Sequence, residues 1–189
     1  MPQRPQLLPG LRAREVLEMG RYPWTGPLRP AGEDGRRRVA QAARQFGLEE
    51  LLDTDCAALS EGQRQMVHLG RAVVQDAPIL LLDEPTANLD IATRREILSV
   101  LEEMKGITET AVIATHDMQL VCQWADRVVV LCQGKVVADG PVDKIFSRQD
   151  VAQQVGIRPP EIFTMARSLN PNALCYTIDE FAACFQEVS

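Results

Sequence analysis

Two adjacent acids, Asp83 and Glu84, follow an apolar run at residues 79–82 and precede Pro85. A short, wholly apolar run is typical of a strand buried on both faces of a parallel sheet. Such a strand would place both carboxylates at the carboxyl edge of the sheet, where α/β proteins bind ligands. There Asp83 could hold Mg²⁺, directly or through water, because this cation prefers carboxylate oxygen. Glu84 could orient and deprotonate a water that attacks a γ-phosphate. The competing interpretation is a turn that ends a strand, since acids are common at turns.

A second motif, Leu59-Ser60-Glu61-Gly62-Gln63, lies earlier in the chain. Ser-x-x-Gln before a helical run predicts a capping box, in which the Ser60 hydroxyl accepts from the Gln63 amide and Gln63 reaches back. The same helix start could also bind an anion through its amides and dipole, with Gly62 close by and free of a Cβ. The two interpretations are compatible.

The composition argues against several classes of protein. With 189 residues, 46% of them hydrophobic, the chain can bury one sizeable core. A net charge of -6 and no basic stripe argue against nucleic acid as the main partner. No apolar run approaches the roughly 18 residues of a membrane span. The cysteines form no C-x-x-C pair and are predicted to be free thiols of a reducing cytosol. They are Cys56, Cys122, Cys132, Cys175 and Cys184.

Hydrophobic spacing predicts alternating helices and strands after a helical start. The predicted helices cover residues 11–20, 36–52, 60–75, 91–105 and 117–125. The predicted strands cover residues 79–82 and 110–114, followed by a hairpin of 127–131 and 135–138 around Gln133-Gly134. Residues 1–10 and 21–35 are predicted to be irregular, and a helix-rich tail follows Gly140. Strand, helix, strand, helix in this order indicates an α/β fold with a parallel sheet and crossover helices.

Five motifs, in one order, resemble those of ATP-binding cassette (ABC) ATPases. Residues 59–63 resemble the signature motif, with Glu61 where a second glycine is usual. Residues 81–84 resemble the Walker B strand. Three further matches are the Q-loop at Met1-Pro2-Gln3, the D-loop at Ala87-Asn88-Leu89-Asp90 and the switch histidine at Ala114-Thr115-His116-Asp117. The resemblance covers most of the chain.

The resemblance implies a role for each matched residue. Glu84 would be the catalytic carboxylate, and Asp83 would act on Mg²⁺. His116 would contact the γ-phosphate of ATP, and Gln3 would sense Mg²⁺ and that phosphate. His68, which belongs to no motif, is predicted to be structural or at the surface.

The signature residues would act on a second subunit. By the resemblance, Ser60, Gly62 and Gln63 would close over ATP held by the opposite subunit of a head-to-tail dimer. Asp90 would lie in the D-loop at the dimer interface. A Glu61 side chain would have to point away from the phosphates, because a carboxylate repels them.

The phosphate-binding motif G-x-x-x-x-G-K-S/T is absent from these 189 residues, and the one Gly-Lys pair, Gly134-Lys135, lies in the predicted hairpin. The family places this loop before the Q-loop. We therefore expect an incomplete P-loop NTPase of the ABC type, truncated or with a misassigned start at Met1, and inactive alone. The expected division is a Q-loop remnant at 1–10, a helical signature subdomain at 11–75, a core part at 76–146 and a tail at 147–189.

The resemblance also implies partners: transmembrane permease subunits and a second ATPase subunit, at the cytoplasmic face of the cell membrane, with membrane contact only through the permease. Gly20-Arg21-Tyr22-Pro23-Trp24 resembles importers of siderophore iron, haem and cobalamin. It is predicted either to face the permease or to be a packed loop. Residues 156–161 and 176–181 resemble energy-coupling-factor ATPases for vitamins, cobalt or nickel. A soluble cassette ATPase and a silent regulatory module stay open as alternatives, as do the cargo, the transport direction and the pairing of the dimer.

Overall fold

The computed structural model describes residues 10–26, 32–105, 108–148, 150 and 155–185, which fall into two units, residues 1–114 and 115–189. The first unit contains helices α1 (Ala13–Met19), α2 (Tyr22–Thr25), α3 (Glu33–Gln45), α4 (Glu61–Val74) and α5 (Ile91–Met104), and strands β1 (Ile79–Asp83) and β2 (Thr110–Ala114). The second contains α6 (Met118–Trp124), β3 (Arg127–Cys132), β4 (Lys135–Pro141), α7 (Val142–Phe146), α8 (Glu161–Leu169) and α9 (Ile178–Phe185). Within the described ranges, none of these helices has the length and apolar character needed to cross a membrane.

Helices α1, α3 and α4 form a packed block in the first unit. Its centre consists of aliphatic side chains with almost no exposed surface, among them Leu17, Leu48 and Leu69. Two glycines allow the helices to approach closely. A Cβ on Gly70 would lie 2.8 Å from a methyl carbon of Leu17, and one on Gly20 would collide with the carbonyl oxygen of Arg71. Burial of this apolar surface is the main favourable contribution to the stability of the block.

Gly20, which follows α1, is not a left-handed helix cap. A glycine that stops a helix commonly adopts a left-handed conformation, but Gly20 is right-handed, with φ −57° and ψ −22°. Its missing side chain is required by the contact with α4. The helix predicted at residues 36–52 has a left-handed glycine instead: Gly47, with φ +62°, follows α3. There Leu48 N–H donates to the Ala43 carbonyl at 2.7 Å, as in a Schellman cap.

The structure differs from the prediction at two places in this part of the chain. The helix predicted at 36–52 ends at Gln45, and a 3-10 turn, Glu49–Leu51, follows it. The segment predicted as irregular, 21–35, contains α2 and the first turn of α3. Pro23 at an early position of α2 is compatible with a helix, since the first turn has no partner for its N–H groups. Pro23 thus does not prevent residues 22–25 from forming a helix.

Strands β1 and β2 pair in parallel, with Ile79 opposite Thr110 and Asp83 opposite Ala114. Helix α5 forms the crossover between them. This arrangement confirms the predicted α/β class, with parallel strands joined by a crossover helix. The predicted burial of β1 on both faces is wrong. Its buried residues are Leu80 and Leu82, whereas Ile79 and Leu81 are 63% and 72% exposed. Successive side chains of a strand point to opposite faces, so only one face is covered in the described part of the chain.

The second unit contains the predicted hairpin and the helix-rich tail. Strands β3 and β4 are antiparallel, and both turn residues have positive φ, +49° at Gln133 and +75° at Gly134. This is the geometry of a two-residue hairpin turn, as predicted. In the tail, the rings of Phe163 and Tyr176 stack in parallel at 5.2 Å between centroids, in a cluster that includes the buried Phe146.

Candidate functional site

The acidic end of β1 is held in a strained turn. Asp83 is the last residue of the strand and is exposed, while Glu84 is half-buried with φ +46°. Positive φ is uncommon for a residue with a side chain and marks a position that its surroundings hold in place. Here the Glu84 N–H donates to the Ala114 carbonyl at 2.9 Å, and the Glu84 carbonyl accepts from Ala87 N–H at 3.1 Å. The two acids therefore lie at the carboxyl edge of the strand pair, as predicted.

The D-loop aspartate caps the next helix. Asp90 is the N-cap of α5: one of its carboxylate oxygens accepts from Thr93 N–H at 2.9 Å and the other from the Thr93 hydroxyl at 2.8 Å. These hydrogen bonds lower the pKa of Asp90, the backbone bond having the largest effect. Sequence reasoning did not single out Thr93. An aspartate followed three residues later by threonine, just before a helical run, is a capping pattern that could have indicated it.

The capping box of the signature helix is confirmed. The Ser60 hydroxyl accepts from Gln63 N–H at 3.2 Å, and the Gln63 side-chain oxygen accepts from Ser60 N–H at 3.0 Å. The carboxylate of Glu61 accepts from the Arg64 guanidinium at 2.7 Å. Glu61 thus forms an ion pair with Arg64 within its own helix.

The signature helix and α5 meet at their N-terminal ends. Gly62 is buried, and a Cβ placed on it would collide with the methyl carbon of Thr93. The absence of a side chain at Gly62 is therefore required by packing against Thr93, whatever ligand its amide binds. The structure consequently brings two of the predicted motifs together in one unit: the signature residues around Gly62 and the D-loop aspartate Asp90.

Of the other predicted site residues, His116 lies in the second unit and Gln3 lies outside the described residues. His116 is exposed and belongs to the second unit; in the sequence it follows the end of β2, in the first unit, by two residues. Beside it, Asp117 caps α6 by accepting from Gln119 and Leu120 N–H groups at 3.1 and 3.2 Å. Gln3, with the rest of the predicted Q-loop, lies outside the described residues.

The carboxylates at the end of β1 suit a cation whose other ligands are water and substrate phosphate. Among the described residues, no group of three or more His, Cys, Asp or Glu side chains could hold a metal ion. Mg²⁺ in phosphate-transfer enzymes is commonly held by one or two carboxylates, with water and substrate phosphate as the other ligands. The exposed carboxylate of Asp83 fits one such ligand position, with Glu84 beside it.

Of the other titratable side chains, His68 and Cys122 have pKa values shifted by burial. Burial lowers the pKa of His68, the half-buried histidine of α4. All five cysteines are free, as predicted. Burial raises the pKa of Cys122 to about 12, so this thiol stays protonated at neutral pH.

The aromatic segment after α1 packs against the C-terminal end of α4. Arg21 is buried, and its guanidinium donates to the Val74 carbonyl at 3.2 Å. The indole N–H of Trp24 donates to the Gln75 carbonyl at 2.7 Å, and Arg21 lies 5.4 Å from the centre of that ring. Carbonyls at a helix end have no partner within the helix, so these two side chains complete the end of α4. Trp24 remains 62% exposed, so the segment both packs and presents a surface.

Comparisons with known proteins agree with these features. The sequence profile of the ABC transporter family matches residues 1–87. The chain is 36% identical to the hemin import ATP-binding protein of Streptomyces coelicolor over 168 residues, which is 89% of this chain and 59% of that protein. It is also 36% identical to the cobalt import ATP-binding protein of Rhodobacter capsulatus, over 71% of this chain and 48% of that protein. The chain thus spans about half to three fifths of these two curated relatives.

Solved structures share the fold. CbiO1 from Clostridium perfringens, part of the ABC transporter complex CbiONQ, superimposes with a TM-score of 0.64 and 32% sequence identity, covering 83% of this chain and 61% of CbiO1. Similar proteins include import ATP-binding proteins for hemin, iron(3+)-hydroxamate and cobalt and a zinc transport ATP-binding protein. The signature helix, the acidic strand end and the fold all point the same way: the chain belongs to the ATP-binding cassette transporter family, within its ATPase domain.

Proposed function

We propose that this chain forms the signature and Walker B part of a nucleotide-binding subunit that couples ATP hydrolysis to transport across a membrane. The observation that carries the proposal is the first unit itself. One compact unit combines an acidic strand end, Asp83 and Glu84, with a capped signature helix packed at Gly62 against the helix that follows the D-loop. A turn that merely ended a strand would not require the contact between Gly62 and Thr93.

In the proposed reaction, the residues of this chain position water and phosphate. Glu84, half-buried and fixed by its backbone hydrogen bonds, would orient the attacking water and accept its proton. Asp83 would hold Mg²⁺, which when bound neutralises charge on the phosphate oxygens. His116 would donate a hydrogen bond to the γ-phosphate and so hold it in line with the water. Gln3 would contact the same phosphate and the cation.

The signature residues would act across a dimer. Ser60, Gly62 and Gln63 would close over ATP bound by the opposite subunit, with Asp90 in the interface. The Ser60 hydroxyl and the Gln63 side chain serve the capping box in this structure. The first-turn amides of α4 and the dipole of this 14-residue helix would supply the attraction for phosphate.

The proposed partners are transmembrane permease subunits and a second ATPase subunit. Contact with the cytoplasmic face of the membrane would run through the permease. The side chains of Trp24 and Tyr22, 62% and 37% exposed, would offer aromatic surface to a permease helix. Their position at the C-terminal end of α4 would connect such a helix to the signature motif at the other end of the same helix.

For the cargo, we propose a metal chelate such as siderophore iron or haem, or cobalamin. The Gly20-to-Trp24 segment supports this class, as does the likeness to the hemin importer over 89% of the chain. A second candidate is a cobalt, nickel or vitamin importer of the energy-coupling-factor type. The tail sequence favours it, and so does the likeness to the cobalt importer.

Co-purification tests the proposal. We expect the protein, isolated from its native membranes, to elute with a polytopic membrane protein and to hydrolyse Mg-ATP. Elution without a membrane partner would support a soluble cassette ATPase and contradict the transport proposal. A complex without ATP turnover would instead support a silent regulatory module.

A polypeptide limited to these 189 residues should not hydrolyse ATP. The sequence contains no amide cradle and lysine to hold the β- and γ-phosphates. Turnover by this polypeptide that Glu84→Gln abolishes would overturn that expectation.

A further inference from the structure

Two motifs that are far apart in the sequence meet at one threonine. The methyl group of Thr93 occupies the space that a side chain at position 62 would need. A Cβ built on Gly62 would also lie 3.3 Å from the Thr93 hydroxyl oxygen and 3.4 Å from its Cβ, closer than most carbon contacts in proteins. Position 62 is therefore packed against this side chain with no spare room.

Thr93 also donates hydrogen bonds to the D-loop aspartate, Asp90. Its hydroxyl donates to Asp90 at 2.8 Å, and its backbone N–H donates to the second carboxylate oxygen at 2.9 Å. The Thr93 side chain thus has two functions at once, since its methyl packs on the signature glycine and its hydroxyl holds the D-loop aspartate. The side chain is half-buried between the N-terminal ends of α4 and α5.

We infer that Thr93 is a positioning residue that couples the signature motif to the D-loop within one subunit. A displacement of α4 at Gly62 would push the Thr93 methyl and thereby move its hydroxyl away from Asp90. A displacement of Asp90 would act on Gly62 by the same route. The role of the two motifs in ATP hydrolysis rests on the proposed function, whereas the physical link depends on these contacts alone.

The inferred coupling predicts how the pKa of Asp90 changes in two variants. Its pKa is lowered by hydrogen bonds from Thr93, so a change that weakens those bonds raises the pKa. Gly62→Ala inserts a methyl group against Thr93, and we expect the pKa of Asp90 to rise although residue 62 does not touch the carboxylate in the parent chain. Thr93→Ser removes the methyl group and keeps the hydroxyl. Added to Gly62→Ala, it should bring the pKa of Asp90 back towards the parent value.

The measurement is a titration of the Asp90 carboxyl carbon by NMR in the 189-residue chain, without nucleotide. Gly32→Ala is the matched control, because a Cβ there would meet nothing within 4 Å and its φ is −62°. If Gly62→Ala and Gly32→Ala leave the pKa of Asp90 equally unchanged, the inferred coupling is wrong. If Gly62→Ala does not fold, recovery of the fold on adding Thr93→Ser supports the contact, and failure to recover overturns it.

A second variant separates the two functions of the threonine. Thr93→Val keeps the shape against Gly62 and removes the hydroxyl, so it should raise the pKa of Asp90 in an otherwise unaltered signature helix. Thr164→Val, at an exposed position of α8, serves as its control. An unchanged pKa of Asp90 in Thr93→Val would contradict the inference. Since no nucleotide is present, failure of the proposed ATPase activity would leave this result unaffected.

Discussion

The helical block and the strand pair of the first unit differ in how completely they bury their apolar residues. In the block of α1, α3 and α4, residues such as Leu17 and Leu69 have at most 1% of their surface exposed. In the strand pair, Leu80 is buried, but its neighbour Leu81 is 72% exposed and Val112 of β2 is 47% exposed. Residues 79–82 of β1 are all apolar, whereas α3 and α4 alternate apolar and charged or polar residues. The more apolar sequence is thus the less completely buried one, so sequence hydrophobicity alone does not predict burial here.

The difference shows which parts of the site depend on local structure. The signature helix begins at its own capping box and packs within the block. The acidic end of β1 depends on β2, because the Glu84 N–H bonds to the Ala114 carbonyl and the two strands come from separate parts of the chain. We therefore expect the signature motif to tolerate disturbance of the sheet better than the Walker B residues do.

The largest predicted effect compares two leucines. Leu17→Ala removes a fully buried side chain that contacts Gly70 and should lower the free energy of unfolding by about 2–5 kcal/mol. Leu81→Ala removes an exposed side chain and should change it by less than about 0.5 kcal/mol. Urea unfolding of the two variants measures both. Equal losses of unfolding free energy would mean that the exposed face of β1 is covered in solution. The helical block and the strand pair would then not differ in burial.

The next effect sharpens the local character of the signature helix. Ser60→Ala removes the hydroxyl that caps α4 and should cost about 1 kcal/mol, within a range of about 0.5–2. Ser60→Asp, which retains a capping oxygen, should restore most of the stability. Hydrogen exchange should show the loss in the first turn of α4, with protection of β1 unchanged. A loss of protection that extends into β1 would contradict the separation of the two regions.

A smaller effect concerns the pH dependence of the block. Asp34 accepts from the guanidinium groups of Arg38 and Arg37, at 3.0 and 2.6 Å, and these hydrogen bonds lower its pKa. Its folded-state pKa is below the unfolded value, so its contribution is present above about pH 4 and is lost as the pH falls further. Asp34→Asn should flatten the acid limb of unfolding curves relative to an Asp126→Asn control. Identical acid limbs in the two variants would refute this assignment.

The sequence predicted the elements of this unit because their signals are local. The capping box at Ser60, the apolar run before Asp83 and the Gln133-Gly134 turn each depend on a few neighbouring residues. The two predicted strands match β1 and β2 within one residue, and the α4 boundaries were also predicted within one residue. Errors arose where the left-handed Gly47 was not recognised as the end of a helix, and where helical residues between 21 and 35 were predicted to be irregular.

The site was predicted residue by residue but not as an arrangement. The sequence identified Gly62 and Asp90 separately, from motifs 28 positions apart. Their connection through Thr93 depends on how α4 and α5 pack, and neither spacing nor composition contains that information. The exposure of Leu81 is another tertiary property, since the same apolar run fits a strand covered on one face or on both.

The most direct test of the central proposal is the rate of ATP hydrolysis in the assembled transporter with Glu84 replaced. In the protein isolated with its membrane partner, Glu84→Gln should lower turnover by about 100-fold or more, as loss of a general base does. Glu102→Gln, at an exposed position of α5, should leave turnover unchanged. Turnover in Glu84→Gln within about threefold of the parent, less than 1 kcal/mol in the barrier, would contradict the assignment of Glu84 as the catalytic carboxylate.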